Sequence, residues 1–144
     1  MFVLDTNVIS ELRKARSGKA DPNVLAWAAA VPANLQYVSS ITLYELRLGI
    51  LLKSARDPEQ GRTLNDWLDS QVRPSFAGRI LSVDEEVALE CARLHVPDPR
   101  SVRDSFIAAT AIVHGMTVAT RNVGDFAPTG AKTVDPWGGK PVAT

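Results

Sequence analysis

The chain has one cysteine, Cys91, among its 144 residues. No internal disulfide can form, so the fold has to stand on its own core, and a reducing compartment is expected. Cys91 itself reads as a small core residue. Long apolar runs are missing as well: nothing approaches the roughly 18 residues that a membrane span requires. No basic-apolar-small leader is visible, because Phe2 already opens the first apolar run; the reading is of a cytoplasmic protein without a signal peptide. An excess of either charge is also absent, with 16 Lys and Arg set against 16 Asp and Glu. That disfavours a protein that holds nucleic acid by bulk electrostatics. It leaves room for a nuclease whose acids gather in one pocket while its bases spread around the rim. His95 and His114 have no ligand-spaced partners and read as structural.

Neither a repeat nor a low-complexity linker divides the chain, and residues 1–144 are expected to form a single domain. The first seven residues organise the rest. Phe2-Val3-Leu4 is an apolar run that passes directly into Asp5-Thr6-Asn7, the pattern of a buried parallel strand. The polar trio then falls at the strand's carboxyl end, where open α/β sheets place their ligands. A helix follows from Val8, with Thr6 or Asn7 as its cap. Further strands are expected at Tyr37-Val38-Ser39, Ile80 to Val83, Met116 to Thr120 and Gly130 to Val134. Helices are expected between them, capped by Asp21, by Thr42, at Asp57-Pro58 and by Asp84. Strands alternating with helices predict an α/β domain, its central parallel sheet of four to five strands covered by helices on both faces.

Four acids stand at positions that this architecture brings to one edge. Asp5 and Asp125 follow strands. Glu45 and Asp104 are placed near the starts of helices that follow strand ends. On the helix over about 43–55, with Glu45 at the origin, Ile41 lies at about −40°, Leu48 at about −60°, Gly49 at about +40° and Leu52 at about −20°. Glu45 is thus expected in the middle of an apolar stripe, where an ionised acid needs a partner or a cation. Asp104 heads a row of small residues, Ala108 and Ala111. Each acid has an ordinary reading too: partial solvation for Glu45, helix-dipole stabilisation for Asp104, turn formation for Asp125. Their coincidence on one edge is the unusual feature. Two carboxylates about 5 Å apart repel by roughly 3 kcal/mol at an effective dielectric of 20. Some must therefore hold protons, or a hard cation must sit among them. Oxygen ligands without Cys or His select Mg²⁺ or Mn²⁺, and such an ion suits phosphodiester hydrolysis.

The chain resembles a known family in four blocks: Val3-Leu4-Asp5-Thr6-Asn7, Ser40-Ile41-Thr42-Leu43-Tyr44-Glu45-Leu46-Arg47-Leu48-Gly49, Asp104 to Ala111, and Thr120-Arg121-Asn122-Val123-Gly124-Asp125-Phe126. In this order they are similar to the PIN-domain ribonucleases, in particular the VapC-type toxins of bacterial toxin–antitoxin pairs. The resemblance implies that Asp5, Glu45, Asp104 and Asp125 form the acidic metal set, with Thr6, Asn7, Thr120 and Asn122 orienting ligands or water. It further implies a Mg²⁺- or Mn²⁺-dependent endoribonuclease, active as a homodimer and inhibited by a small antitoxin, with the pair binding operator DNA. Cleavage by an activated water would leave a 5′-phosphate and a 3′-hydroxyl. Asp135-Pro136-Trp137 departs mildly from the Asn-Pro that the branch often carries.

Two rival readings stay open. Asp5 with Thr120 could suit aspartyl-phosphate transfer, although no acid lies two residues after Asp5 and no lysine lies near the Thr120 strand. A nuclease-like fold used only for binding is the other. The basic stretch Arg13, Lys14, Arg16 and Lys19 fits a solvated loop or a phosphate-contacting rim equally well.

Overall fold

Residue by residue, β1 (Phe2–Leu4) alternates between the two sides of a sheet. In the computed structural model, which describes residues 1–138, Val3 faces one core cluster and Leu4 the other. The same alternation recurs in β4 (Thr117–Ala119), where Val118 joins the first cluster and Ala119 the second. Both faces are therefore dry, which is why these strands read as continuous apolar runs. With β2 (Gln36–Ser39), β3 (Ile80–Leu81) and β5 (Thr133–Val134) they form a five-stranded sheet ordered β3-β2-β1-β4-β5. Every pairing is parallel, and β1 is central, as its sequence led one to expect. The domain expected over 1–144 includes residues 139–144, which lie outside the described residues.

On the Leu4 side pack α1 (Thr6–Arg13), α2 (Pro22–Ala30), α3 (Ser40–Arg56) and α4 (Pro58–Trp67), the last continuing through a π-type stretch over Leu68–Val72 into α5 (Arg73–Ser75). The Val3 side is covered by α6 (Glu85–Leu94) and α7 (Val102–His114), followed after β4 by the short α8 (Val123–Phe126). Helices thus lie on both faces, as the alternation of strands and helices predicts. Cys91 is buried between α6 and its neighbours, and burial raises its thiol pKa, as suits an inert core residue.

Capping explains most helix starts. Asp21, Asp57 and Asp84 accept backbone N–H bonds where expected. Two starts differ from the sequence reading. The cap of α1 is Asp5 itself, not Thr6 or Asn7: Asp5 Oδ1 accepts from the Thr6 N–H at 2.8 Å. The cap of α3 is Ser39, whose Oγ accepts from the Ile41 N–H at 3.0 Å, so Thr42 lies inside the first turn and is fully buried. Ser39, the last residue of β2, doubles as the cap of α3, and Asp5 alone separates β1 from α1, so both strand-to-helix turns are as short as they can be.

The wheel for α3 also needs correction. Its buried face is Thr42, Leu46 and Ile50, and Arg47 turns to α4, donating to Asn65 Oδ1 and Asp69 Oδ1 at 2.7 Å each. Of the predicted stripe, Ile41 packs against the Val3-side cluster, Glu45 and Leu48 are half-buried, Gly49 is exposed, and Leu52 is 59% exposed. An apolar stripe in a sequence does not say whether the core or another surface covers it.

Candidate active site

At the carboxyl edge of the sheet, Asp5 follows β1 and Thr120 follows β4, on adjacent strands. Asp5 is almost fully buried. Its Oδ1 serves as the α1 cap, and its Oδ2 accepts from the Thr120 hydroxyl at 2.7 Å. Thr120 Oγ1 in turn accepts from the Asn122 N–H at 3.0 Å and from Asn7 Nδ2 at 3.5 Å. Asn7 Oδ1 takes the Arg121 N–H at 3.4 Å. The Asp5 carboxylate is thus held on both oxygens, and its orientation is set by residues from two distant segments.

Glu45 enters from α3. Its Oε1 accepts from the Thr6 hydroxyl at 2.7 Å, and its Oε2 faces Arg103 Nη1 at 3.7 Å. Rather than sitting in the middle of a buried stripe, it is partly exposed at the flank of the helix, which reconciles a charged group with the fold. Thr6 bridges the two acids, its backbone N–H on Asp5 and its hydroxyl on Glu45.

Asp104 reaches the same edge by a different route from the one expected. Its helix, α7, follows α6 rather than a strand and leads into β4. It therefore runs against the strands, and its amino end returns to the carboxyl edge. Asp5, Glu45 and Asp104 line one open cavity of about 440 Å³, together with Thr6, Asn7 and Asn122. Thr120 stands behind its floor, fully buried. Asp125 lies in the first turn of α8, which replaces the expected loop. It lines an adjoining cavity of about 400 Å³ that shares Asp104 with the first. Asp104 is the wall between the two.

The electrostatics reflect this crowding. Burial raises the Asp5 carboxyl above its ordinary range; the Thr120 and Thr6 hydrogen bonds oppose that, and repulsion from Glu45 and Asp125 adds to it. Asp104 is raised by burial, then by Asp5 and Asp125, with Arg103 pulling the other way. Four carboxylates from four separate segments feel one another, the condition under which a cation is attractive. Among the described residues, no three acidic, imidazole or thiol side chains close on a single point as a ready-made cage. Mg²⁺ does not require one: it keeps several waters and takes one or two carboxylates directly. An all-oxygen, hydrogen-bonded donor set around an open cavity fits such a hydrated ion.

Sequence reasoning did not find the opposite wall of the first cavity. Lys14, Arg121 and Trp137 line it, with the Arg121 guanidinium 5.3 Å over the Trp137 ring. The only signals were the place of Arg121 beside Thr120 and a tryptophan at an unusual tail motif. Lys14 belongs to the basic stretch near the end of α1, and it pairs with Glu11 at 3.1 Å.

Comparison with known proteins follows the same lines. A family model described as PIN domain matches residues 2–129. The chain is 40% identical over 143 residues to the VapC ribonuclease Y4jK of Sinorhizobium fredii, covering 95% of this chain and 98% of that protein. It is 37% identical over 143 residues to the toxin FitB of Neisseria gonorrhoeae, covering 95% and 99%. The crystal structure of FitAcB from Neisseria gonorrhoeae matches with a TM-score of 0.85 at 37% identity, over 95% of this chain and 99% of that one. A structure of FitAB bound to an IR36 DNA fragment gives a TM-score of 0.84 at 36% identity, over 95% and 96%. Sequence and fold agree over nearly the whole length, and on that ground this chain belongs to the PIN-domain family.

Proposed function

We propose that residues 1–144 form one PIN domain acting as a Mg²⁺- or Mn²⁺-dependent endoribonuclease, the toxin of a toxin–antitoxin pair. The observation that carries this reading is that Asp5, Glu45 and Asp104, from three distant segments, line one open cavity. Asp5 and Asp104 would hold the ion, with Glu45 and Asp125 contacting it through its waters or completing its shell. When bound, the ion supplies charge neutralisation and acidity to a coordinated water and a phosphoryl oxygen.

The chain's own residues do the positioning. Thr120 and Thr6 aim the two Asp5 oxygens, and Thr6 aims Glu45. Asn7 and Asn122 flank them in the cavity lining, with the Asn7 amide bonded to Thr120 and to the Arg121 N–H. Hydrolysis joins a water oxygen to phosphorus and breaks the bond to the 3′ oxygen, which leaves as a hydroxyl; the 5′-phosphate keeps the new oxygen. The protons exchanged pass to the carboxylates lining the cavity and to solvent. Aspartyl-phosphate transfer is the weaker reading, since both Asp5 oxygens are already engaged by hydrogen bonds.

An antitoxin partner is supported by the complexes formed by FitAB-type relatives and by an apolar groove between α1 and α4, lined by Ile9, Leu12, Trp67 and Phe76. A homodimer is supported by the outward apolar side of α3, where Tyr44, Leu51 and Leu52 are exposed. Operator binding would belong to the toxin–antitoxin assembly. No helix among the described residues is long and apolar enough to cross a membrane, in keeping with a cytoplasmic setting. The deciding experiment is RNA cleavage by Asp5→Asn and Asp104→Asn in Mg²⁺ or Mn²⁺. Both should lose cleavage while staying folded, and near-normal rates from both would remove these acids from the chemistry.

A further inference from the structure

The first cavity has two unlike walls. One is acidic: Asp5, Glu45 and Asp104. The other carries Lys14, Arg121 and Trp137. At about 440 Å³ the cavity has the size of a small-molecule pocket, roughly 300–1,000 Å³. An ion with six waters needs only on the order of 200 Å³. The cavity therefore has room beside such an ion for part of a substrate, and the second wall points to which part.

That wall is built to stay in place. The Trp137 N–H donates to Asp135 Oδ1 at 2.9 Å, its carbonyl accepts from Asn23 Nδ2 at 3.0 Å, and its ring packs on the core cluster under the sheet. Arg121 lies over the ring, and its backbone is tied to Asn7, two residues from Asp5. The platform is therefore at a set distance from the acids. Lys14 is braced by Glu11, whose other oxygen accepts from the Asp21 N–H at 2.8 Å. Among the described residues, neither Lys14 nor Arg121 forms an ion pair with Asp5, Glu45 or Asp104, so the acidic wall does not neutralise the basic one. The guanidinium laid over the indole offers its own planar face to a base, while Lys14, paired with Glu11 in the same lining, can turn its ammonium to a phosphate.

We propose that Lys14, Arg121 and Trp137 form a nucleotide subsite of the cavity. The base next to the reacting phosphate stacks on the Arg121–Trp137 pair, and the adjoining backbone phosphate faces Lys14. Only the identity of the reacting phosphate rests on the ribonuclease reading above. A stacked base must be unpaired, so the subsite selects a single strand and tolerates any base, since every base has a π-face; that the strand is RNA follows from the ribonuclease reading.

The test is fluorescence anisotropy in EDTA with two labelled probes: a single-stranded hexauridylate and an abasic ribose-phosphate strand of equal length. The wild-type chain should bind the base-bearing strand roughly tenfold more tightly. Trp137→Ala and Arg121→Ala should erase that preference, and Trp137→Phe should keep most of it, which separates stacking from loss of packing. Equal affinity for the two strands, or a preference intact in Trp137→Ala, overturns the subsite. Cleavage by Asp5→Asn at the wild-type rate would sink the nuclease reading and leave the stacking result standing by itself.

Discussion

The Thr120 hydroxyl donates to Asp5 Oδ2 at 2.7 Å, joining residues 115 positions apart at the ends of adjacent parallel strands. Among the described residues it is the one side-chain hydrogen bond to Asp5 from outside its own turn, and it is buried. Metal-holding carboxylates depend on such partners for orientation, and losing one typically costs 10–100-fold in metal affinity or activity. Thr120→Val keeps the shape and removes the donor. Cleavage should fall by about that factor, and Thr120→Ser should recover most of it; a valine variant with unchanged rate and metal affinity would show that Asp5 needs no such support.

Asp104 gives a pH-dependent outcome. Burial and its acidic neighbours raise its pKa in the folded chain above the 3.8 of an unperturbed Asp. Over the window from 3.8 upward the folded state binds more protons than the unfolded one, so this group's contribution to stability falls as pH rises and levels off above the folded pKa. Asp104→Asn removes the penalty. Without divalent ions, it should melt higher than wild type at pH 7, with the difference closing as pH drops below about 4. Melting curves in EDTA across that range decide the matter; a variant less stable at pH 7 than at pH 4, relative to wild type, would contradict the assigned repulsion.

Divalent ions should relieve the same strain in the wild-type chain. A ligand bound only to the folded state at 100 times its Kd stabilises it by about 2.7 kcal/mol. Millimolar Mg²⁺ or Mn²⁺ should raise the melting temperature of the wild type, and much less that of Asp5→Asn or Asp104→Asn. Equal shifts in all three would place the ion elsewhere.

Away from the site, Gly61 permits the close crossing of α3 and α4. A Cβ there would stand 2.8 Å from Ser54 Cα, too near for any rotamer change to relieve. Gly61→Ala should destabilise by about 1–3 kcal/mol, the usual cost of overpacking, despite alanine's better helix propensity. Chemical denaturation would measure it, and a neutral or stabilising result would mean that the crossing can open freely.

What could be read from residues alone has a physical pattern. Val3-Leu4-Asp5 was legible because a strand buried on both faces leaves no polar residue until it ends. Asp21, Asp57 and Asp84 were legible because a cap acts on its own helix. The errors lie where a third element decides. Ser39 outcompetes Thr42 as a cap because the strand runs straight into α3. The face of α3 was misassigned because Arg47 finds partners on α4, which no wheel contains. Asp104 was placed on the right edge by the wrong path, since its helix follows α6 and not a strand end. Trp137 was read only as part of the tail because its place beside the cavity depends on Arg121 lying over it.

On the toxin reading proposed above, the parallel order of the sheet bears on when the chain would first become dangerous to the cell that makes it. β1 leaves the ribosome first, yet one of its two neighbours, β4, and the threonine that aims Asp5 are made near the end. A nascent chain stopped before residue 117 has Asp5, Glu45 and Asp104 but lacks the strand on one side of β1 and the Thr120 that turns Asp5. Truncated products should therefore be harmless, and toxicity would arise as a single late event in translation.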